Sequence, residues 1–413
     1  MDDVFIAGVG MTPFGKLLDV DVYDMIASAV NNALQDAGAC AEQIESVYYG
    51  AVTHGLLQGQ YCVPGPIAMR RMGIEDVPVF SVENACATGS SALHLAAQAL
   101  RAGSCDIALA VGAEKMNVSD KAKMFSVFDS GWDITSVEAN KNLLLEMGKG
   151  VEPPLGTMSQ RPYSVFMDVY AAFARSHMKR YGTTQRQIAA VASKNHTHSV
   201  HNPLSQYRVA YTIDDVLAAP PIAYPLTLPM CAPISDGASA AVLCNVQGLR
   251  RLKGDPSRAI RLLASVVQIG VQRGSDEPEK SIARRAATRA YTQASLGPKD
   301  MHVAEVHDAT AMGELMNVEA LMLVEPGESG PAAERGDLSI GGRIPVNPSG
   351  GLESKGHPLG ATGLGQVHEL VTQLRGEAGA RQVQGARHAI QENGGGLFGV
   401  EEAVCAVNIF ARA

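Results

Sequence analysis

The chain repeats itself. Placing Cys86 on Gly360 without a gap aligns Ala87-Thr88-Gly89 with Ala361-Thr362-Gly363, His94 with His368, Leu100 with Leu374 and Arg101 with Arg375. Chance can match two short Ala- and Gly-rich helices. A duplication, by contrast, constrains the fold strongly: two similar βα layers face each other, and two helix N-termini point at a shared centre, where they favour anions. The flanking pattern fits. Val4–Gly8, Ile44–Val52, Val77–Val82 and Asp106–Val111 are apolar, strand-like runs, and Met25, Ile26, Val30 and Leu34 recur at helical spacing within Val22–Asp36. Leu93, Ala96, Ala97 and Leu100 follow the same spacing in a helix expected over Ala87–Ala102, with Gly103 just past its end. Strand and helix alternate, so the predicted class is layered α/β with a mostly parallel sheet.

From about Asn117 to Pro229 the alternation stops, and Met, Lys, Arg, His and Tyr become more frequent. This stretch reads as an insertion containing helices such as Val169–Tyr181. Asp236–Val242 returns to the core, Arg250–Arg258 reads as a linker, and the alternation then restarts. The expected organisation is one half from 1–116 and 230–249, an inserted domain over 117–229, and a second half over 250–413. At 413 residues the chain has length for two to three such units.

A net charge of −8 disfavours nucleic-acid binding through a basic field, and 5% aromatics do not suit a base-stacking surface. No basic segment precedes an apolar run at the start, and the uncharged run Asn84–Leu100 is broken by Gly, Ser, Thr and His. Neither a secretory signal nor a membrane span is expected. The seven cysteines are irregularly spaced and form no CxxC pair, so a reduced, cytoplasmic setting is the expectation.

Cys86 falls where a strand gives way to the repeated helix. A thiol at a helix N-terminus is at the positive end of the dipole, which favours the thiolate, the form that attacks a thioester carbonyl. The alternative is a buried packing cysteine, the reading given to the other six. His357 lies in a glycine-dense segment just before the second copy of the helix, placed to take the Cys86 proton or to serve as a turn residue. His307 ends an apolar strand, where an N–H donor could stabilise a developing anion. Asp308 is expected to cap the helix that follows. There is no HExxH and no cluster at metal-ligand spacing, so no metal is expected.

Together these segments resemble the thiolase superfamily over nearly the whole chain. Asn84-Ala85-Cys86-Ala87-Thr88-Gly89-Ser90-Ser91 is similar to its nucleophile segment, Gly356-His357-Pro358 to its glycine–histidine–proline motif, and Cys231–Ala241 to the stretch returning from the loop domain. His307-Asp308-Ala309-Thr310 resembles the sterol-carrier-protein type, although a cysteine usually stands where this chain has Ala309. The resemblance implies a five-layered α-β-α-β-α fold from two duplicated halves plus an inserted loop domain on the coenzyme A side. It also implies a homodimer or dimer of dimers.

It implies an acyl-CoA acyltransferase that uses coenzyme A as substrate or product and needs no other cofactor. Cys86 accepts the acyl group from an acyl-CoA or 3-oxoacyl-CoA thioester, His357 activates it, and His307, together with His357 and water, holds the thioester oxygen. Backbone N–H groups at Cys86 and at Gly395 or Gly396 cradle the oxyanion. Lys179, Arg180, Arg186 and Lys194 are candidates for the CoA phosphates, or else a solvated helix face.

One departure matters. The family's second reactive cysteine, in a Cys-x-Gly motif, is absent from Glu392-Asn393-Gly394-Gly395-Gly396, and Cys405 is read as packing in the next strand. Two alternatives follow. One is decarboxylative or other C–C bond chemistry, since Cys86–His307–His357 also resembles the Cys-His-His set of β-ketoacyl synthases. The other is a subunit active only with a small OB-fold, acyl-CoA-associated partner.

Overall fold

The computed structural model describes residues 3–412. Its centre is one nine-stranded sheet ordered Val79–Val82, Ser46–Gly50, Ile107–Glu114, Gly237–Cys244, Phe5–Met11, Ile260–Ile269, Val404–Arg412, His388–Gly395, Val303–Glu305. Only two residue pairs, Phe5 with Arg261 and Ile6 with Ile260, join the fifth strand to the sixth. On either side of that seam the pattern is the same. A parallel set ends in two antiparallel strands, and Val346, bridging Ala304 in parallel, stands where Val79–Val82 stands in the first half.

The repeat accounts for this symmetry. Helices Thr88–Arg101 and Thr362–Arg375 start and stop at aligned positions, and each follows a 3-10 turn, Ala85–Ala87 and Leu359–Ala361. Leu93, Ala96 and Leu100 of one and Leu364, Val367 and Leu370 of the other form a single buried cluster between the halves. Helix Val22–Ala37 covers the outer face of the first half, where Met25, Ile26 and Val30 are buried. Asp21 caps its start and Gly38, in the left-handed region, ends it. Ile282–Ala294 covers the second half. The layers therefore run α-β-α-β-α.

The two central helices approach closely because glycines line their contact. A Cβ on Gly89 would lie 2.9 Å from the Gly360 carbonyl oxygen, and one on Gly112 would collide with the same atom. The opposing atom is backbone and cannot turn aside. Gly112→Ala is therefore expected to destabilise the protein by about 1–3 kcal/mol or more, as overpacking does. A urea titration showing an unchanged midpoint would contradict this.

Between 117 and 229 the structure holds helices Lys121–Ser126, Val137–Glu146, Val165–Tyr181, Gln185–Ser199 and Ile213–Ala218, with a small hairpin of Pro221–Ala223 and Leu226–Thr227. Two expectations need correction. The sheet is mixed rather than mostly parallel: five of its eight strand pairings are antiparallel, because Gly237–Cys244, Phe5–Met11, Ile260–Ile269 and Val404–Arg412 alternate in direction across the seam. Nor do all the cysteines other than Cys86 pack: Cys105, Cys244 and Cys405 are buried and Cys231 partly so, but Cys40 and Cys62 are exposed. Cys40 opens a surface 3-10 turn, and Cys62 lies in the short link between helices His54–Gln58 and Pro64–Arg71, where nothing packs over it.

Candidate active site

Cys86, His307 and His357 come from three distant parts of the chain, yet the Cys86 sulfur and one nitrogen of each imidazole lie within 4.8 Å of one another. The two rings stand 5.3 Å apart at 55°. Each is presented by the elements the sequence predicted: the turn ahead of the first central helix, the end of strand Val303–Glu305, and the loop into the second central helix. Among the described residues this is also the one three-residue cluster with metal-ligand chemistry.

The turn that carries Cys86 is held on several sides. Ala85 has φ +47°, a left-handed conformation that costs energy in a residue with a Cβ. Glu83 Oε1 accepts the Ala85 N–H at 2.6 Å, and Thr88 Oγ1 accepts the Asn84 N–H at 2.9 Å. Gly395 backs the turn: a Cβ there would meet the Asn84 oxygen and lie 2.8 Å from the Ala87 nitrogen. Gly396, at φ +61°, borders Ala85.

The two histidines have opposite proton affinities. The His357 N–H donates to Ser235 Oγ at 2.9 Å, and its Nδ1 lies 2.7 Å from Thr362 Oγ1. That hydroxyl also lies 2.9 Å from the Pro358 carbonyl, which can only accept. The hydroxyl proton is therefore used, Nδ1 of His357 donates, and Nε2 is left as an acceptor. Burial, then the positive charge of His307, pushes the His357 pKa well below the ordinary histidine range. His357 is a neutral imidazole with a free lone pair.

His307 is the reverse. Burial disfavours its charged form, but the Cys86 sulfur and the Glu402 carboxylate beside it outweigh that, and its pKa is raised well above the usual value. Nδ1 lies 2.9 Å from Glu402 Oε1, while the buried Nε2 has no hydrogen-bond partner. The backbone is fixed as well: Glu392 Oε2 accepts the His307 N–H at 3.0 Å, and Asn317 donates to its carbonyl at 3.1 Å. Two imidazoles whose environments drive them apart make a base and a proton donor.

Sequence reasoning missed the carboxylates that surround this pair. Glu392 opens the cysteine-free run Glu392–Gly396. It is fully buried between the His307 N–H and the Cys405 sulfur, 3.4 Å away. Burial, then the charge of Glu402, raises its pKa to about 8. Glu402 lies in the link between the Gly394–Gly396 run and the last strand, and lines two adjoining cavities of roughly 280 and 1230 Å³. The larger reaches Ala85 on the turn that carries Cys86 and Gly395 and Gly396 beside it, and the smaller extends over Tyr170, Phe173 and Met316. The one available signal was a pair of acidic residues, Glu401-Glu402, between a glycine run and an apolar strand.

Asp308 needs correction. It caps a helix, but not the one that follows it. Its carboxylate accepts the Leu352 N–H at 2.8 Å and the Glu353 N–H at 3.4 Å, capping the short helix Gly351–Lys355 that leads to His357. Tertiary folding brings that start closer than the local helix offers. Lys194 is also misread as a phosphate ligand: it is buried 2.8 Å from Glu314 Oε1. Arg186 pairs with Asp214 and Glu334 at the surface, while Lys179 and Arg180 sit exposed in the last turn of Val165–Tyr181, and Arg180 borders the smaller cavity.

Comparison with known proteins extends over the whole chain. The family described as "Thiolase, N-terminal domain" matches residues 4–209, and "Thiolase C-terminal domain-like" matches 271–407. An acetyl-CoA acetyltransferase of Methanothermobacter thermautotrophicus is 37% identical over the full length of both chains. Human sterol carrier protein 2 is 38% identical, matching 94% of this chain and 69% of its own length. Among solved structures, one described as an Ltp2-ChsH2(DUF35) aldolase superposes with a TM-score of 0.78 at 22% identity, covering 99% of this chain and 98% of that one.

Proposed function

Because the chain belongs to the thiolase family, and is an acyl-CoA acyltransferase of that family, we propose that Cys86 is the atom on which the acyl group rides. His357 Nε2 takes the Cys86 proton, and the thiolate attacks the thioester carbonyl of an acyl-CoA or, in cleavage, the C3 keto carbonyl of a 3-oxoacyl-CoA. The N–H groups of Cys86 and of Gly395 or Gly396 receive the developing oxyanion, and protonated His307 donates from Nε2 to the thioester oxygen. The tetrahedral intermediate collapses with loss of CoA thiolate, or of an acyl-CoA carbanion in cleavage, and that leaving group takes the proton from His357. A second CoA, or another acceptor, then removes the acyl group from sulfur. The observation that carries this reading is the convergence of two imidazoles on one sulfur, with the proton affinity of His307 pushed up and that of His357 pushed down.

Coenzyme A is substrate or product, and no metal or further cofactor enters these steps. The segment 117–229 supplies the CoA side in this reading, with the halves 1–116 plus 230–249 and 250–413 forming the frame. A homodimer fits the sheet, whose outer strand Val79–Val82 leaves Phe80 half exposed and stacked 5.4 Å from Tyr48. Among the described residues no helix is long and apolar enough to cross a membrane, and a cytoplasmic setting is part of the proposal. The alternative, a subunit active only with a small OB-fold, acyl-CoA-associated partner, is supported by the absence of a cysteine from Glu392–Gly396 and by the likeness to the Ltp2-ChsH2(DUF35) aldolase structure.

Intact-protein mass after incubation with a panel of acyl-CoAs tests the reading. An adduct of acyl mass that maps to Cys86 is expected, and its yield against chain length reads the specificity. A chain that turns over acyl-CoA while Cys86 stays unmodified under rapid quench would refute it.

A further inference from the structure

We infer that Glu402 is a positioning residue of the reaction, which holds His307 as a proton donor toward the thioester oxygen. The inference rests on the acyl-transfer reading of Cys86. The geometry is that of a side chain placed for one purpose. Glu402 Oε1 takes the proton on His307 Nδ1 at 2.9 Å, so the proton His307 can offer the site is the one on Nε2. That nitrogen is buried and has no hydrogen-bond partner, and its ring belongs to the cluster with Cys86. Room for the carboxylate is made by Gly394, since any Cβ there would collide with both Glu402 oxygens. Glu402 is also among the residues that line both cavities, with its side chain 15% exposed.

The groups around His307 favour this assignment. Cys86, His357, Glu392 and Glu402 face it from separate elements, with Cys405 behind Glu392. Of the two carboxylates, Glu392 takes the backbone N–H and Glu402 alone takes a ring proton. Asp308, the next residue, is turned away into the helix Gly351–Lys355. A negative charge on Glu402 favours the imidazolium. When Cys86 becomes a thioester its sulfur loses any charge, and Glu402 is then what keeps His307 protonated during deacylation.

The test is the pH dependence of acyl transfer. A group that must stay protonated loses activity as pH rises through its pKa, so Glu402→Gln, which lowers the His307 pKa, moves the alkaline limb to lower pH. A shift of at least about one pH unit is expected, with a loss of about 10²–10³-fold in kcat at pH 8. Glu402→Asp keeps the charge and restores most of the limb. In a His307→Asn background Glu402→Gln adds nothing further, because the two act as one unit. If Glu402→Gln does not fold, Gly394→Ala crowds the same carboxylate and shifts the limb in the same direction. An alkaline limb that coincides with the wild type in the folded variant, or losses that multiply in the double variant, overturns the inference. Acylation of Cys86 by acetyl-CoA in the wild type is followed in parallel, so that failure of the acyl-transfer reading is seen separately.

Discussion

Cys86→Ala is expected to abolish the acyl adduct and to lower turnover by at least about 10⁴-fold, the scale on which loss of a nucleophile acts when its partners work as a unit. The loss is chemical. Cys86 is only partly buried, and the neighbouring Ala85 φ and the Asn84 and Ala85 hydrogen bonds do not involve its sulfur. Its removal should therefore cost about 1 kcal/mol of stability, and the melting curve should hardly move. Cys86→Ser keeps the shape and leaves a far weaker acid, so a slow oxygen ester is the most it can form. His357→Asn removes the base and leaves the thiol, for an expected loss of about 10²–10⁴-fold. Adding it to Cys86→Ala should cost nothing more. Equal rates of adduct formation in wild type and Cys86→Ser, by rapid-quench mass spectrometry, would sink the mechanism.

That these three residues could be read from the sequence has a physical basis. The halves repeat because both central helices need small residues where they touch, and Ala-Thr-Gly recurs at Ala87–Gly89 and Ala361–Gly363 for that reason. A nucleophile and two imidazoles carry their chemistry in their residue type. The supporting carboxylates do not. Glu305, Asp308, Glu314, Glu353 and Glu392 are all fully buried, with Lys194 and Lys355 beside them, and in a linear sequence such residues look like solvated surface. What makes them interior is a set of partners more than 40 residues away: Asn195 Nδ2 alone lies 3.0–3.3 Å from oxygens of Asp308, Glu314 and Glu353. Burial, first of all, raises the pKa of Asp308 and of Glu353, and each is further raised by the other acids. Nothing in local periodicity encodes that.

Lys355→Met should show how strongly this buried network fixes the site. Lys355 is 1% exposed; its Nζ lies 3.2 Å from Glu305 Oε2, which is wholly buried, and 3.3 Å from the Gly365 carbonyl. Methionine fills the space but leaves Glu305 with only the Ser349 N–H at 3.0 Å and hydroxyl at 2.8 Å. Breaking one side of a buried ion pair costs about 3–5 kcal/mol, so a fall in Tm of several degrees is expected. The pH dependence identifies the cause. Burial already raises the Glu305 pKa, while Lys355 opposes the rise. Without Lys355 the folded-state value climbs further above the unfolded one, so the folded state binds the extra proton and stability falls as pH rises through that interval. The deficit of Lys355→Met should therefore be smaller at pH 5 than at pH 8, and Glu305→Gln in the same chain should recover much of it by removing the stranded charge. A deficit independent of pH, or a double variant no better than the single one, would mean that packing rather than charge holds this loop. Lys355 stands two residues before His357, so a rate loss that tracks the pH-dependent destabilisation would place the base itself under the control of this ion pair.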